Sequence, residues 1–428
     1  MCLAASAEVA AAVADAHHRE WAFVLAATVR AAGDIDAAEE AVQEAYASAL
    51  ATWGESGIPR NPGAWLTVTA RRRALDARRR AATAERALPK LLVPREGGAE
   101  DPGTDGGIPD DRLRLIFTCC HPALAFETRV ALTLRLLCGL STAEVARAFL
   151  VPEATMAARI TRAKKKIASA NIPYRVPDAS ELHARVDGVL AVVYLVYTTG
   201  HTAPSGTDLM RGDLAERGLE LARMLRVLLP RNTDVAGLLA LVLLTQARSG
   251  ARLDERRDLV LLEDQDRSKW DRQAIGEGLS LLRESLAARP PGRFALMAAI
   301  AAVHDESGSW EDTDWREILG LYDLLMERWP SPVVRLNRAI ALGFAAGPAQ
   351  GLAELDALGA EPLLARYPYL AAARGDFLVR LGRVAEARLA FEEALILTDN
   401  EAEQRFLRAR IARVSDSQDS PGQRESPS

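Results

Sequence analysis

Apolar positions recur at intervals of three and four along most of the chain, while Gly and Pro collect between the periodic stretches. That pattern predicts helices throughout and no sheet. Residues 8–86 read as three helices broken at Gly33-Asp34 and at Gly54–Pro62. The second starts near Asp36 and places Ile35, Ala38, Val42, Ala45 and Ala49 on one face, with Glu39, Glu40, Gln43 and Glu44 on the other. The third runs from Pro62, which suits a first turn, to about Ala84. Its inner stripe is Leu66, Ala70, Ala74 and Ala77, and its outer side carries Arg71, Arg72, Arg73, Arg78, Arg79 and Arg80. Residues 87–110 have no apolar period. Pro89–Asp110 alone holds four Pro and five Gly, the composition of a flexible linker. A compact helical module is expected over 111–171.

Within that module the helix around Glu144 is followed by a break at Leu150–Pro152 and a longer helix from about Glu153. There Met156, Ile160, Ala163 and Ile167 share an inward face, and Thr155, Arg159, Arg162 and Lys166 an outward one. This is a helix-turn-helix, whose second helix enters the major groove of DNA. Thr155, Ala158 and Arg159 stand near its N-terminus, where side chains reach base edges and Arg pairs bidentately with guanine. Lys164, Lys165 and Lys166 lie further along, where phosphate contacts are expected. Leu150 occupies a turn position often held by Gly, and a left-handed residue with a Cβ costs about 1 kcal/mol or more.

The remainder is helical too, with a domain over 177–290 and repeat-like helices over 291–412. Leu381-Gly382, then Ala387, Phe391 and Ala394, follow the small-and-large order of one tetratricopeptide unit, with a weaker copy from Pro332. Residues 413–428 read as a polar, disordered tail. Tyr197, Thr198, Gly200 and His201 interrupt an apolar helix and read as a packed junction. The acids Glu263, Asp264 and Asp266 beside Arg267 have no His, Cys or phosphate-binding loop near them in sequence, so a capped helix junction is expected rather than catalysis.

Charge sharpens this picture. The 428 residues carry a formal net charge of −5, yet residues 1–176 hold 23 basic and 20 acidic side chains against 30 and 38 in the remainder. Attraction to DNA must therefore come from local clusters in the first half. The first fifteen residues lack the basic start of a signal peptide, and no apolar run reaches the roughly 20 residues that span a bilayer. The cysteines are Cys2, Cys119, Cys120 and Cys138. Adjacent cysteines on a helix point about 100° apart, so buried, reduced thiols in a cytoplasm are expected, and no metal or other cofactor. Cys119, Cys120 and His121 read as a packing signature.

The acidic run Ala38–Glu44, the Ala64–Asp76 helix with its arginines, and the late helix-turn-helix resemble regions two and four of the extracytoplasmic-function sigma factors of RNA polymerase. The stretch Pro109–Leu124 and later segments at Tyr194–Tyr197, Leu262–Trp270, Thr313–Trp315 and Pro332–Arg338 resemble the subgroup with a long helical, tetratricopeptide-like extension. The resemblance implies an all-α, non-enzymatic protein whose partners are core RNA polymerase and promoter DNA. By that resemblance Glu39, Glu40, Gln43 and Glu44 dock on the polymerase clamp. Trp65, the helix arginines and the preceding loop open and hold the −10 element, and Glu153–Lys166 reads the −35 element. The extension is expected to modulate activity, with a regulatory protein or peptide as a further partner. Arg72 stands where many relatives have Asn, and Thr198-Thr199 where much of the subgroup has Asn-Glu. The alternatives are a helix-turn-helix repressor acting without polymerase, and a helical-repeat adaptor without sigma activity.

Overall fold

The computed structural model describes residues 2–87, 111–149, 151–203 and 205–418. Residues 88–110 of the linker expected over 87–110, the turn residue Leu150 and the last ten residues of the expected tail lie outside the described residues. The chain forms two compact units that meet at Val193/Tyr194, inside a helix.

The first unit begins with α1 (Cys2–Ala32), α2 (Ile35–Ser56) and α3 (Pro62–Ala87). Gly33 takes a positive φ of 77°, which only glycine adopts without strain, and Asp34 caps α2 by accepting the Ala37 N–H at 2.9 Å. The periodic residues Ile35, Ala38, Val42, Ala45 and Ala49 are buried, as are Leu66, Ala70 and Ala74 of α3. Ala77 is exposed; the inner stripe ends at Ala74, and none of residues 75–83 is buried. Four short helices follow: α4 (Asp111–Cys119), α5 (Phe126–Leu132) continued by a π turn over Thr133–Leu137, α6 (Thr142–Ala148) and α7 (Glu153–Ser169).

Helix α4 and the π turn pack directly on α1. The Trp21 indole donates to the Leu136 carbonyl at 3.0 Å, and the Tyr174 hydroxyl to the Ala26 carbonyl at 2.8 Å. Gly139, at φ 69°, faces the Trp21 ring so closely that a Cβ would lie 3.0 Å from it. The start of α8 (Ala179–His201) belongs to this unit as well, with the Arg185 guanidinium donating to the Phe117 carbonyl at 2.7 Å. The extension expected from residue 177 thus separates as a compact unit only from Tyr194.

The second unit contains the end of α8, α9 (Gly212–Leu228), α10 (Thr233–Gln246), α11 (Arg272–Ser285), α12 (Arg293–Glu306), α13 (Trp315–Arg328), α14 (Pro332–Ala346), α15 (Pro348–Ala357), α16 (Pro368–Arg380), α17 (Val384–Leu397) and α18 (Glu401–Gln418). A two-residue parallel ladder pairs Ser205–Gly206 with Asp399–Asn400. Asn400 anchors it by donating to the carbonyls of Ala203 and Asp208, both at 3.0 Å. Residues 194–418 form one unit rather than separate domains divided at 290. Residues 413–418, assigned to the tail by their polarity, are the last turns of α18.

Small residues set the close helix crossings. A Cβ on Gly200 would lie 2.1 Å from the Ala215 amide nitrogen, and one on Gly218 2.7 Å from Tyr197. The polar break at Tyr197–His201 is therefore a packed junction between α8 and α9. Further on, Ala387, Phe391 and Ala394 of α17 are buried, and Phe391 fills the space left by Gly375 of α16.

Candidate nucleic-acid interface

Helix α6 opens with a reciprocal cap. The Ser141 hydroxyl accepts the Glu144 N–H, and the Glu144 carboxylate accepts the Ser141 N–H at 2.7 Å. Ser141 with Glu144 three positions on marks such a helix start. Helix α7 then divides as its periodicity predicts. Met156, Ile160, Ala163 and Ile167 are buried, while Thr155, Ala158, Arg162, Lys165 and Lys166 are exposed and Arg159 is half-buried. The Arg159 guanidinium lies 5.6 Å from the Phe149 ring centroid, which holds it near the N-terminal end of the helix. Arg159, Arg162 and Lys166 line a cleft of about 480 Å³ with Glu127 and Thr128 of α5. Lys166 donates to the Ala123 carbonyl at 2.6 Å. The cationic groups thus converge on one groove beside the helix.

Lys164 does not join them. Its side chain is only 13% exposed and pairs with Asp36 at 2.7 Å and with Glu39. Burial alone would lower its pKa; Glu39 and Asp36 outweigh that and raise it. Glu39, placed by periodicity with the exposed acids of α2, is instead 6% exposed at its side chain and also meets Arg135 at 2.8 Å. A buried carboxylate is tolerable only when paired, and here two cations from the α5–α7 module supply the pairing. Arg135 carries a sequence signal of its own. It is a lone cation inside the apolar run Val130–Leu140, so burial there demands an anionic partner. The identity of that partner, 96 positions earlier, has no local trace.

The rest of α2 and α3 is more open. Glu40 and Gln43 are exposed. Glu44 is half-committed, since Arg73 reaches it at 2.6 Å and Ser48 at 2.5 Å. Arg73 accordingly ties α3 to α2, whereas Arg71, Arg72, Arg78, Arg79 and Arg80 are exposed. Trp65 packs edge-on against the buried Trp53, with ring centroids 5.5 Å apart. Cys119, Cys120 and Cys138 are buried thiols. Burial pushes the Cys119 thiol well up, and pushes Cys120 to about 11, far from the thiolate that redox or metal chemistry needs. His121 accepts the Ala123 N–H at 3.2 Å. Cys119 and Cys120 are buried in the core, and His121 is half-buried beside them.

Comparison with known families agrees with this geometry. Residues 16–83 match the model for sigma-70 region 2, and residues 114–167 match that for sigma-70, region 4. This chain belongs to the sigma-70 family. It has the architecture of an extracytoplasmic-function sigma factor with a C-terminal helical extension, part of which, residues 185–286, matches a family of unknown function, DUF6596. The sigma factor is also similar to an uncharacterized protein of Rhizobium meliloti (strain 1021), at 41% identity over 392 residues covering 90% of this chain and 92% of the relative. No solved structure gives a significant match. The two sigma regions imply binding to core RNA polymerase and promoter DNA in transcription initiation, a role without covalent chemistry. Among the described residues no helix is long and apolar enough to cross a membrane.

Proposed function

We propose that this sigma factor reads the −35 element with the exposed face of α7, Thr155, Ala158, Arg159 and Arg162, while Lys165 and Lys166 hold phosphate. The division of α7 into a buried apolar face and a cationic face lining a groove is the observation that carries the reading. Trp65, Arg71, Arg72 and Arg78–Arg80 serve the −10 element. Glu40 and Gln43, with Glu44 once Arg73 releases it, meet the polymerase clamp. Glu39, Lys164 and Arg73 leave the set of direct contacts and act as internal ties. The first unit as described is a closed state, in which Lys164 and Arg135 clasp Glu39. Engaging two promoter elements at once requires that clasp to open.

The extension assists initiation in this reading, since a unit this rich in buried apolar helix is more than an electrostatic shield. Run-off transcription with core polymerase on a promoter library, comparing the full chain with residues 1–193, tests both parts. An assisting extension predicts a fragment that folds and initiates poorly. A fragment at least as active as the full chain, with an advantage in DNA binding that shrinks as salt rises, makes the extension a restraint. Failure of the full chain to direct initiation at any promoter overturns the whole reading.

A further inference from the structure

The second unit has a half-open cavity of about 550 Å³ between α10, α12, α13 and α14. Most of its wall is apolar, with Tyr194, Met297, Tyr322 and Trp329 supplying the broad surfaces. Two cation-capable groups also line it, Arg248 and His304. The Arg248 side chain is 13% exposed; its Nε lies 3.5 Å from Asp305, and its Nη1 is buried with no hydrogen-bond partner. The Nδ1 of His304 is likewise buried and unpartnered. Arg267 stands behind them. It donates through Nη1 to the carbonyls of His304 and Ser307, at 2.7 and 2.8 Å, and leaves Nη2 buried without a partner.

The Leu262–Trp270 segment, whose acids suggested a capped junction, builds this wall. Leu262 lines the cavity. Asp266 caps the next turn through the Ser268 N–H at 2.9 Å, and the Arg267 guanidinium sits 4.6 Å from the Trp270 ring centroid. Arg248 lies against the buried carboxylate of Asp305, both of whose oxygens also lack a hydrogen-bond partner, and Arg267 is close enough to feel its charge. Burial, with Arg248 and Arg267 nearby, holds His304 neutral, its pKa down to about 3. The Arg248 Nη1 left without a partner can still donate to an added anion. A buried donor without a partner is costly, and an acceptor at the cavity wall removes that cost. The space greatly exceeds the roughly 30 Å³ share of one water and falls within the range of small-molecule sites, about 300–1,000 Å³.

We propose that the extension is a receptor for a small molecule with an apolar, aromatic-sized body and one carboxylate. The body lies among Tyr194, Met297, Tyr322 and Trp329, and the carboxylate accepts from Arg248 with His304 beside it. The site is complete within the second unit, so it stands whether the extension assists or restrains initiation.

The test uses the full chain and a matched pair of probes, 2-naphthoate and the uncharged 2-naphthamide, in calorimetric titration and thermal melts. Naphthoate should bind and raise the melting temperature, and naphthamide should bind at least about tenfold more weakly, the value of a charge-assisted hydrogen bond. Arg248→Gln should remove that preference and leave naphthamide binding unchanged. Ala301→Phe, which fills the cavity from α12, should abolish both. Equal affinity for the two probes in the unaltered protein overturns carboxylate recognition. Absence of binding by either probe, or binding undiminished in a folded Ala301→Phe protein, overturns the site. Should either variant fail to fold, photolabelling of the unaltered chain with a diazirine-bearing naphthoate decides: adducts within 241–248 or 297–304 support the site, and adducts confined elsewhere refute it.

Discussion

Neighbouring lysines on α7 should behave in opposite ways. Lys165 is exposed, so Lys165→Ala should weaken DNA binding evenly across sequences and reduce the salt slope by about 0.9, the value of one phosphate contact. Lys164 instead bridges α7 to α2. Its partner Asp36 is 64% exposed and contributes little. Its partner Glu39 is nearly enclosed, and breaking a buried pair by removing one member costs about 3–5 kcal/mol. Arg135 remains on Glu39 after the change, which reduces the loss to about 2–3 kcal/mol, or roughly 30- to 160-fold in the equilibrium between docked and open modules. Lys164→Ala should therefore speed amide exchange along the first turns of α2 and along α7 while leaving the helical content unchanged. Its DNA affinity should hold or rise. If Lys164→Ala loses DNA affinity as Lys165→Ala does, with exchange unaltered, the lysine is a phosphate contact and the clasp is not a determinant of the closed state.

Other outcomes follow from the same residues. Arg159→Ala should cost about 1–3 kcal/mol and relax base preference at a single position; a sequence-blind loss in a binding-site selection would remove it from base reading. Glu40→Lys should abolish capture by core polymerase without changing the melt, whereas undiminished capture moves the docking face elsewhere. The second unit should loosen in acid. Burial, with Arg252 and Arg248 near it, holds His201 down to about 2, His304 lies at about 3, and burial raises Asp305 to about 6. Below pH 6 the unfolded chain takes up two protons at the histidines that the folded unit refuses, while folded Asp305 takes one that the unfolded chain lacks. The net proton favours unfolding by roughly 1 kcal/mol per pH unit down to about pH 4. Calorimetry of the full chain against His304→Gln should show the variant with the flatter pH dependence, and an equal slope would refute the assignment.

The helices and the two sigma modules were legible because their signals are local. Met156, Ile160, Ala163 and Ile167 mark one face by spacing alone, and each is buried. The same rule misplaced Glu39 and Lys164. A helix of 3.6 residues per turn leaves boundary positions between its faces, and whether such a position is wet depends on what packs there. Glu39 lies between Ala38 and Val42 on the covered side only because the α5–α7 module covers it. Ala77 failed in the opposite direction: its spacing was right, but none of the described residues buries it. The cavity was legible only in fragments. Tyr194 and Leu262 stood in stretches that periodicity and resemblance singled out, yet their convergence with Arg248 and His304 depends on contacts spanning more than a hundred residues.

On the proposed reading, closure and partner binding draw on the same two helices. Glu39 shares α2 with Glu40, and Lys164 shares α7 with Arg159, so neither surface can respond to its partner independently of the clasp. A partner that engages only the open unit has its apparent affinity scaled by the open fraction. Core polymerase at α2 and promoter DNA at α7 would then each favour the other's binding without touching it, by the same free energy in both directions. Loosening the clasp at Arg135 and loosening it at Lys164 should raise both affinities by a common factor for each variant, since one equilibrium supplies both. That proportionality separates a shared opening step from two local repairs: local effects would alter polymerase and DNA affinity in ratios that differ from one variant to the next.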